Sequence, residues 1–90
     1  LKVIGEGKFA GCKSLKSVNF GTSPVLEEIG SRAFYGCGLE SFVAPSSLRR
    51  IGDLAFGSCR ALKDVRLNGP PELGWLCFWD TAVADLKLPP

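Results

Sequence analysis

Apolar positions return along this chain in a fixed order rather than with a helical or simple alternating period. An Ile-Gly or Leu-Gly pair (Ile4-Gly5, Ile29-Gly30, Ile51-Gly52, Leu73-Gly74) leads by five residues, counted from the aliphatic, to Phe9, Phe34, Phe56 and Phe78. Three residues after each phenylalanine stands Cys12, Cys37, Cys59 or Thr81, and then Leu15, Leu39, Leu62 or Val83. A further apolar pair follows: Val18 and Phe20, Phe42 and Ala44, Val65 and Leu67, Leu86 and Leu88. The offsets between units are 25, 22 and 22 residues, so seven columns recur four times. A period of this length marks stacked repeats, each burying its apolar side on its neighbours.

Within a unit the local pattern assigns the elements. In Leu15-x-x-Val18-x-Phe20 the last two apolar side chains fall on one side of a strand and Asn19 on the other, which predicts one rung of a parallel sheet per unit. Leu26-x-x-Ile29-Gly30 is short and apolar at its ends. It predicts a second short strand or extended turn on the opposite wall, with Gly30 and its equivalents supplying a positive φ or a close backbone approach. The phenylalanine column fills the space between the walls. Differences in length fall in turn sequences, Gly21-Thr22-Ser23-Pro24 and Asn68-Gly69-Pro70-Pro71, where Gly and Pro supply tight geometry and the core register is kept.

The run Leu48-Arg49-Arg50-Ile51-Gly52-Asp53-Leu54-Ala55-Phe56-Gly57-Ser58-Cys59, followed by Leu62-x-x-Val65-x-Leu67, resembles the BspA-like class of leucine-rich repeats, and the resemblance covers essentially the whole chain. It implies a leucine-rich-repeat solenoid, short and right-handed, mostly β, with parallel short strands on one or both walls and little α-helix. The expected organisation is a single repeat domain over 1–90, in units of about 1–22, 23–45, 46–69 and 70–90, as an excerpt of a longer chain. The resemblance also implies adhesion or protein binding, and it is nearly silent on the ligand. Departures gather in the last unit: Pro70 replaces Leu26 and Leu48, Cys77 replaces Ala33 and Ala55, and Thr81 replaces the cysteine.

Composition narrows the function. Net charge is +2 with both signs spread along the chain, so there is no basic stripe for a phosphate backbone and nucleic acid is not an expected partner. No apolar run approaches the roughly 20 residues that span a bilayer. Histidine, the commonest general base, is absent, and Asp64 and Asp85, which share a column, read as solvated strand residues. Cys12, Cys37 and Cys59 share a column and should form a buried ladder of free thiols, because rungs about 4.8 Å apart exceed the roughly 3.5–4.5 Å between the Cβ atoms of a disulfide. Zinc-type spacing is missing as well. These readings predict no catalytic residue, no metal and no cofactor. The pairs Lys2-Val3, Glu27-Glu28, Arg49-Arg50 and Pro71-Glu72 alternate in sign up the stack and predict exposed ion ladders, Glu27/Arg49 and Glu28/Arg50/Glu72.

Two surfaces remain for a protein partner. Outward positions of the longer strands are Lys16, Ser17 and Asn19, then Glu40, Ser41 and Val43, then Lys63, Asp64 and Arg66, then Ala84, Asp85 and Lys87. That set would make about half of one side of a standard interface of roughly 20–30 residues. In the last unit Trp75 occupies the column of Glu6, Ser31 and Asp53, and Trp79 that of Tyr35, so Gly74-Trp75-Leu76-Cys77-Phe78-Trp79 is apolar where its predecessors are partly polar. These tryptophans either dock a partner or fold over their own core as a terminal cap. The partner-binding candidates are therefore Trp75, Leu76 and Trp79, with Lys16, Asn19, Glu40, Val43, Lys63, Arg66 and Lys87. The expected function is a non-enzymatic interaction module or structural subunit of a larger assembly, with further repeats or subunits stacked on an end. The alternative is a cell-surface adhesin. A cell-surface location follows from the resemblance, and an intracellular or organellar complex fits equally.

Overall fold

The computed structural model describes residues 2–18, 25–67 and 71–83. Its strands are β1 (Val3–Ile4), β2 (Glu28–Ile29), β3 (Ser41–Val43), β4 (Arg50–Ile51), β5 (Asp64–Arg66) and β6 (Glu72–Leu73), and no helix forms among the described residues. One parallel sheet has the order β1-β2-β4-β6, the other pairs β3 with β5. Register follows the repeat: Ile4 lies opposite Ile29, Ile29 opposite Ile51, and Ile51 opposite Leu73, while Phe42 lies opposite Val65.

Short parallel strands form on both walls, as the pattern predicted. The Ile-Gly segments, read as short strands or extended turns, make the four-stranded sheet. Among the described residues the longer apolar pairs form strands in the second and third units. In the first unit residues 15–18 take no strand form, although Glu40 N–H donates to the Lys16 carbonyl at 3.1 Å. Asn19 and Phe20, and the segment with Leu86 and Leu88, lie outside the described residues.

Between the walls, backbone bonds run from unit to unit in one direction, each N–H donating to a carbonyl of the following unit. N–H groups of Gly7, Phe9 and Gly11 donate to the carbonyls of Ser31, Ala33 and Tyr35; those of Arg32, Phe34 and Gly36 to Asp53, Ala55 and Gly57; those of Leu54, Phe56 and Ser58 to Trp75, Cys77 and Trp79, all at 2.7–3.0 Å. This path needs two left-handed residues per unit. Gly7, Arg32, Leu54 and Leu76 form one such column, and Gly11, Gly36, Ser58 and Asp80 the other, with φ between 51° and 78°. The Gly30 column uses the other option, close approach. A Cβ built on Gly30, Gly52 or Gly74 would stand 2.8, 2.6 or 2.5 Å from the backbone nitrogen of Glu6, Ser31 or Asp53.

Phe34 and Phe56 are fully buried. Rings of Phe9, Phe34, Phe56 and Phe78 stack with successive centroids 5.3, 5.3 and 5.4 Å apart, and Phe42 sits 4.7 Å from Phe56. Leu26, Ile29, Leu39, Leu48, Ile51, Leu62 and Val65 complete the core; burying each side chain of this size stabilises by about 1.5–3 kcal/mol. Burial thins in the first and last units, which among the described residues have a neighbour on one side only. Phe9 and Phe78 are half-buried, and Leu73, which the pattern placed with the core isoleucines, is exposed.

Candidate functional site

The cysteine column departs from a continuous buried ladder. Cys37 and Cys59 are buried, with Sγ donating to the Phe9 and Phe34 carbonyls at 2.9 and 3.0 Å, but Cys12 is exposed because its unit is covered on one side alone. Cys77, from the alanine column, is also buried, and all four are free thiols. Thr81 leaves the pattern: its Oγ1 donates to the Phe78 carbonyl of its own unit at 2.9 Å and accepts from Val83 N–H at 3.3 Å. Burial pushes the Cys59 thiol from an ordinary 9.0 up to about 11, and it raises Cys37 and Cys77 as well. An unfolded chain therefore loses the Cys59 proton first as pH climbs. This thiol's contribution is fully present below pH 9 and falls away as pH rises from 9.0 to about 11. Urea titrations across that window should show stability declining more steeply for the native sequence than for Cys59→Ala. Equal slopes would show that this thiol keeps no excess proton in the fold.

The charged columns gather Glu27, Glu28, Arg49, Arg50 and Glu72 around an open groove on the four-stranded sheet. Of the two predicted ladders, only the Arg50–Glu72 rung closes among the described residues, at 3.4 Å and with both side chains exposed. Arg60–Asp80 at 3.0 Å and Arg66–Asp64 at 3.7 Å are the other ion pairs there. Exposed pairs of this kind contribute about 0–1 kcal/mol, so they neither organise a site nor decide stability. Among the described residues no three His, Cys, Asp or Glu side chains gather as metal ligands, and no helix is long and apolar enough to cross a membrane.

On the longer-strand face Lys16, Glu40 and Lys63 line up in one exposed column, joined through Glu40 N–H to the Lys16 carbonyl and Lys63 N–H to the Glu40 carbonyl. Val43 is 59% exposed and lies opposite Arg66. Asn19 and Lys87 lie outside the described residues.

The last unit concentrates exposed apolar surface. Leu73, Trp75, Leu76 and Trp79 are all exposed, Trp75 by 70%, which leaves its indole off the core rather than folded over it. Its backbone is held on both sides. Trp75 N–H donates to Asp53 Oδ1 at 2.7 Å, and the Trp75 carbonyl accepts from Leu54 N–H at 3.0 Å. Leu76 turns the chain at φ 51°, and the Trp79 carbonyl accepts from Ser58 N–H at 2.8 Å. Asp80 closes the segment by accepting from Arg60 Nε at 3.0 Å and Ser58 Oγ at 3.2 Å. Two indoles thus stand in solvent on a fixed backbone, an arrangement in which little side-chain or loop entropy remains to be lost on binding. The column comparison pointed to the tryptophans; it did not point to Leu73, whose exposure comes from its place at the open end of the sheet.

A model for a family described as the BspA type leucine-rich repeat region (6 copies) matches residues 1–90. No curated protein and no solved structure matches the sequence.

Proposed function

Because the chain belongs to the BspA-type leucine-rich repeat family, we propose that it works as a non-enzymatic protein-interaction module, a single four-unit solenoid serving as a subunit of a larger assembly. The observation that carries this reading is the apolar ridge of Trp75, Leu76 and Trp79 on a backbone pinned to the preceding unit. Earlier units put Glu6, Ser31 and Asp53 where Trp75 stands, so the ridge is a local feature of one end and not a property of the repeat. Lys16, Glu40, Val43, Lys63 and Arg66 form the more polar face that would flank or supplement it. Large aromatic side chains at the centre of an interface carry a disproportionate share of binding energy.

Crosslinking with mass spectrometry from native material identifies the partner, and Trp75→Ala and Trp79→Ala then test the ridge. Each substitution is expected to weaken that partner's binding by about 30-fold, the equivalent of a hot-spot residue worth about 2 kcal/mol, without moving the melting temperature. Unchanged affinity together with lowered stability would show that the indoles serve the fold and that the partner sits elsewhere.

A further inference from the structure

The second unit is one residue shorter than the first and third at the corner that leads into the longer-strand wall. Gly38 alone separates Cys37 from Leu39, where the first unit has Lys13-Ser14 and the third Arg60-Ala61. The shorter corner leaves a notch of about 480 Å³, floored by Gly36, Cys37 and Gly38 and edged by Lys13 on one side and Ser58, Arg60 and Ala61 on the other. Nothing fills it from below. Cys37 is buried with its Sγ on the Phe9 carbonyl at 2.9 Å, Gly36 is held at φ 72°, and a Cβ on Gly38 would run into the Lys13 carbonyl. Because its walls belong to three successive units, the notch lies on the flank of the stack, and units stacked beyond the first or the fourth leave it open.

Its charge has one sign. Lys13 and Arg60 stand exposed on opposite edges, Lys16 Nζ lies 3.4 Å from the Cβ position of Gly38, and among the described residues no carboxylate lines the notch. Lys13 and Lys16 form no ion pair there, and Glu40, next to Lys16 in its column, pairs with neither Lys16 nor Lys63. Arg60 Nε and Ser58 Oγ donate to Asp80 Oδ2 of the fourth unit at 3.0 and 3.2 Å, which fixes the guanidinium and leaves its Nη groups without an acceptor among the described residues. The backbone N–H groups of Arg60 and Ala61 also lack one there. We propose that the notch binds an acidic segment of a protein partner, with one Asp or Glu carboxylate entering between Lys13 and Arg60 above the glycine floor. The gap spans two rungs of roughly 4.8 Å each, room for a single extended segment. Arg60 offers the carboxylate its free Nη donors, a charge-assisted contact with defined geometry, and Lys13 and Lys16 close on it from the other edge. Exposed charges of this kind orient a partner and select it more than they add affinity. The notch therefore sets how the partner lies along the stack.

The inference rests on reading the chain as an interaction module and names the chemistry of one contact. Titrating the isotope-labelled chain with a short capped Glu-Gly repeat peptide, followed by amide NMR, tests it, with a Gln-Gly peptide as the uncharged match. Weak, saturable binding is expected to shift the amides of Gly36, Gly38, Arg60 and Ala61 and to fade as salt is raised. Lys13→Glu should weaken that binding about five- to tenfold, because it removes one attraction and adds a repulsion of similar size. Lys2→Glu changes the net charge equally but lies beside β1 on the other wall, so it should leave the affinity within about twofold. Neither substitution should move the melting temperature, since neither side chain is exposed less than its neighbours or bonded to another described residue. No saturable binding overturns the proposal, as do equal binding of the Gln-Gly peptide and equal losses from the two lysine substitutions. The wider reading is decided separately: if the peptide fails to bind while Trp75→Ala still abolishes capture of the native partner, the notch is discarded and the interaction module stands.

Discussion

Phe56→Ala is expected to lower the unfolding free energy by about 3–5 kcal/mol, the range for removing a buried aromatic ring. Phe56 has no solvent exposure and stacks on Phe34 and Phe78 while touching Phe42, so its ring joins three of the four units. Neighbouring backbone cannot collapse into the gap, because the flanking units are each held at a fixed spacing from the third unit by Phe34 N–H to Ala55 and Phe56 N–H to Cys77 at 2.8 and 2.9 Å. For a chain of this length total stability is on the order of 5–13 kcal/mol, so the loss removes a large fraction. The consequence reaches beyond a lower midpoint. With each unit supported only by its neighbours, a cavity at the third unit uncouples the fourth, and urea unfolding should separate into two transitions or show a reduced m-value. Phe9→Ala, at the half-buried end of the same column, should cost about half as much. A single sharp transition for Phe56→Ala with a loss under about 1 kcal/mol would mean that the ring stack does not couple the units.

The prominence of Phe56 is legible in the sequence, since its column, its register with Phe34 and Phe78 and its place between two walls all follow from the repeat. Column membership, however, says which residues are equivalent and not how many neighbours each has. Cys12 and Leu73 share columns with buried residues and are exposed because their units are covered on one side. The extent of each strand depends on neighbours in the same way. Whether Val18 or Ile29 sits in a strand depends on pairing, and the shorter Ile-Gly segments keep an uninterrupted partner at 22- or 25-residue spacing across all four units. The left-handed columns were hidden by side chains: Arg32, Leu54 and Leu76 occupy a conformation that usually signals glycine. Gly7 in that column, and Gly11 and Gly36 in the other, were the available clue. At the candidate site, the change from Glu6, Ser31 and Asp53 to Trp75 was visible as composition. That the indole stands in solvent depends on the turn that carries it, which no column records.

Gly52→Ala is expected to cost about 3 kcal/mol or more, although it adds a single methyl group and asks for no unusual φ. The new Cβ would lie 2.6 Å from Ser31 N, 2.8 Å from the Gly30 carbonyl carbon and 3.0 Å from Ser31 Cα. All three are backbone atoms, so no side chain can swing aside, and relief comes only from moving the second and third units apart. That movement stretches Gly52 N–H to Ile29 at 2.7 Å and Arg32 N–H to Asp53 at 3.0 Å, each worth about 0.5–1.5 kcal/mol net, on top of roughly 1–3 kcal/mol for overpacking. Guanidinium unfolding of Gly52→Ala beside Gly5→Ala isolates the cause, because the two substitutions share a column and an expected gain of about 0.4–1 kcal/mol from a stiffer unfolded chain. They differ in one respect, the presence of a unit on the outer side. A large loss at Gly52 with none at Gly5 in the monomer assigns the glycine column to stacking contact. If Gly52→Ala were as stable as the native chain, the second and third units would not approach this closely.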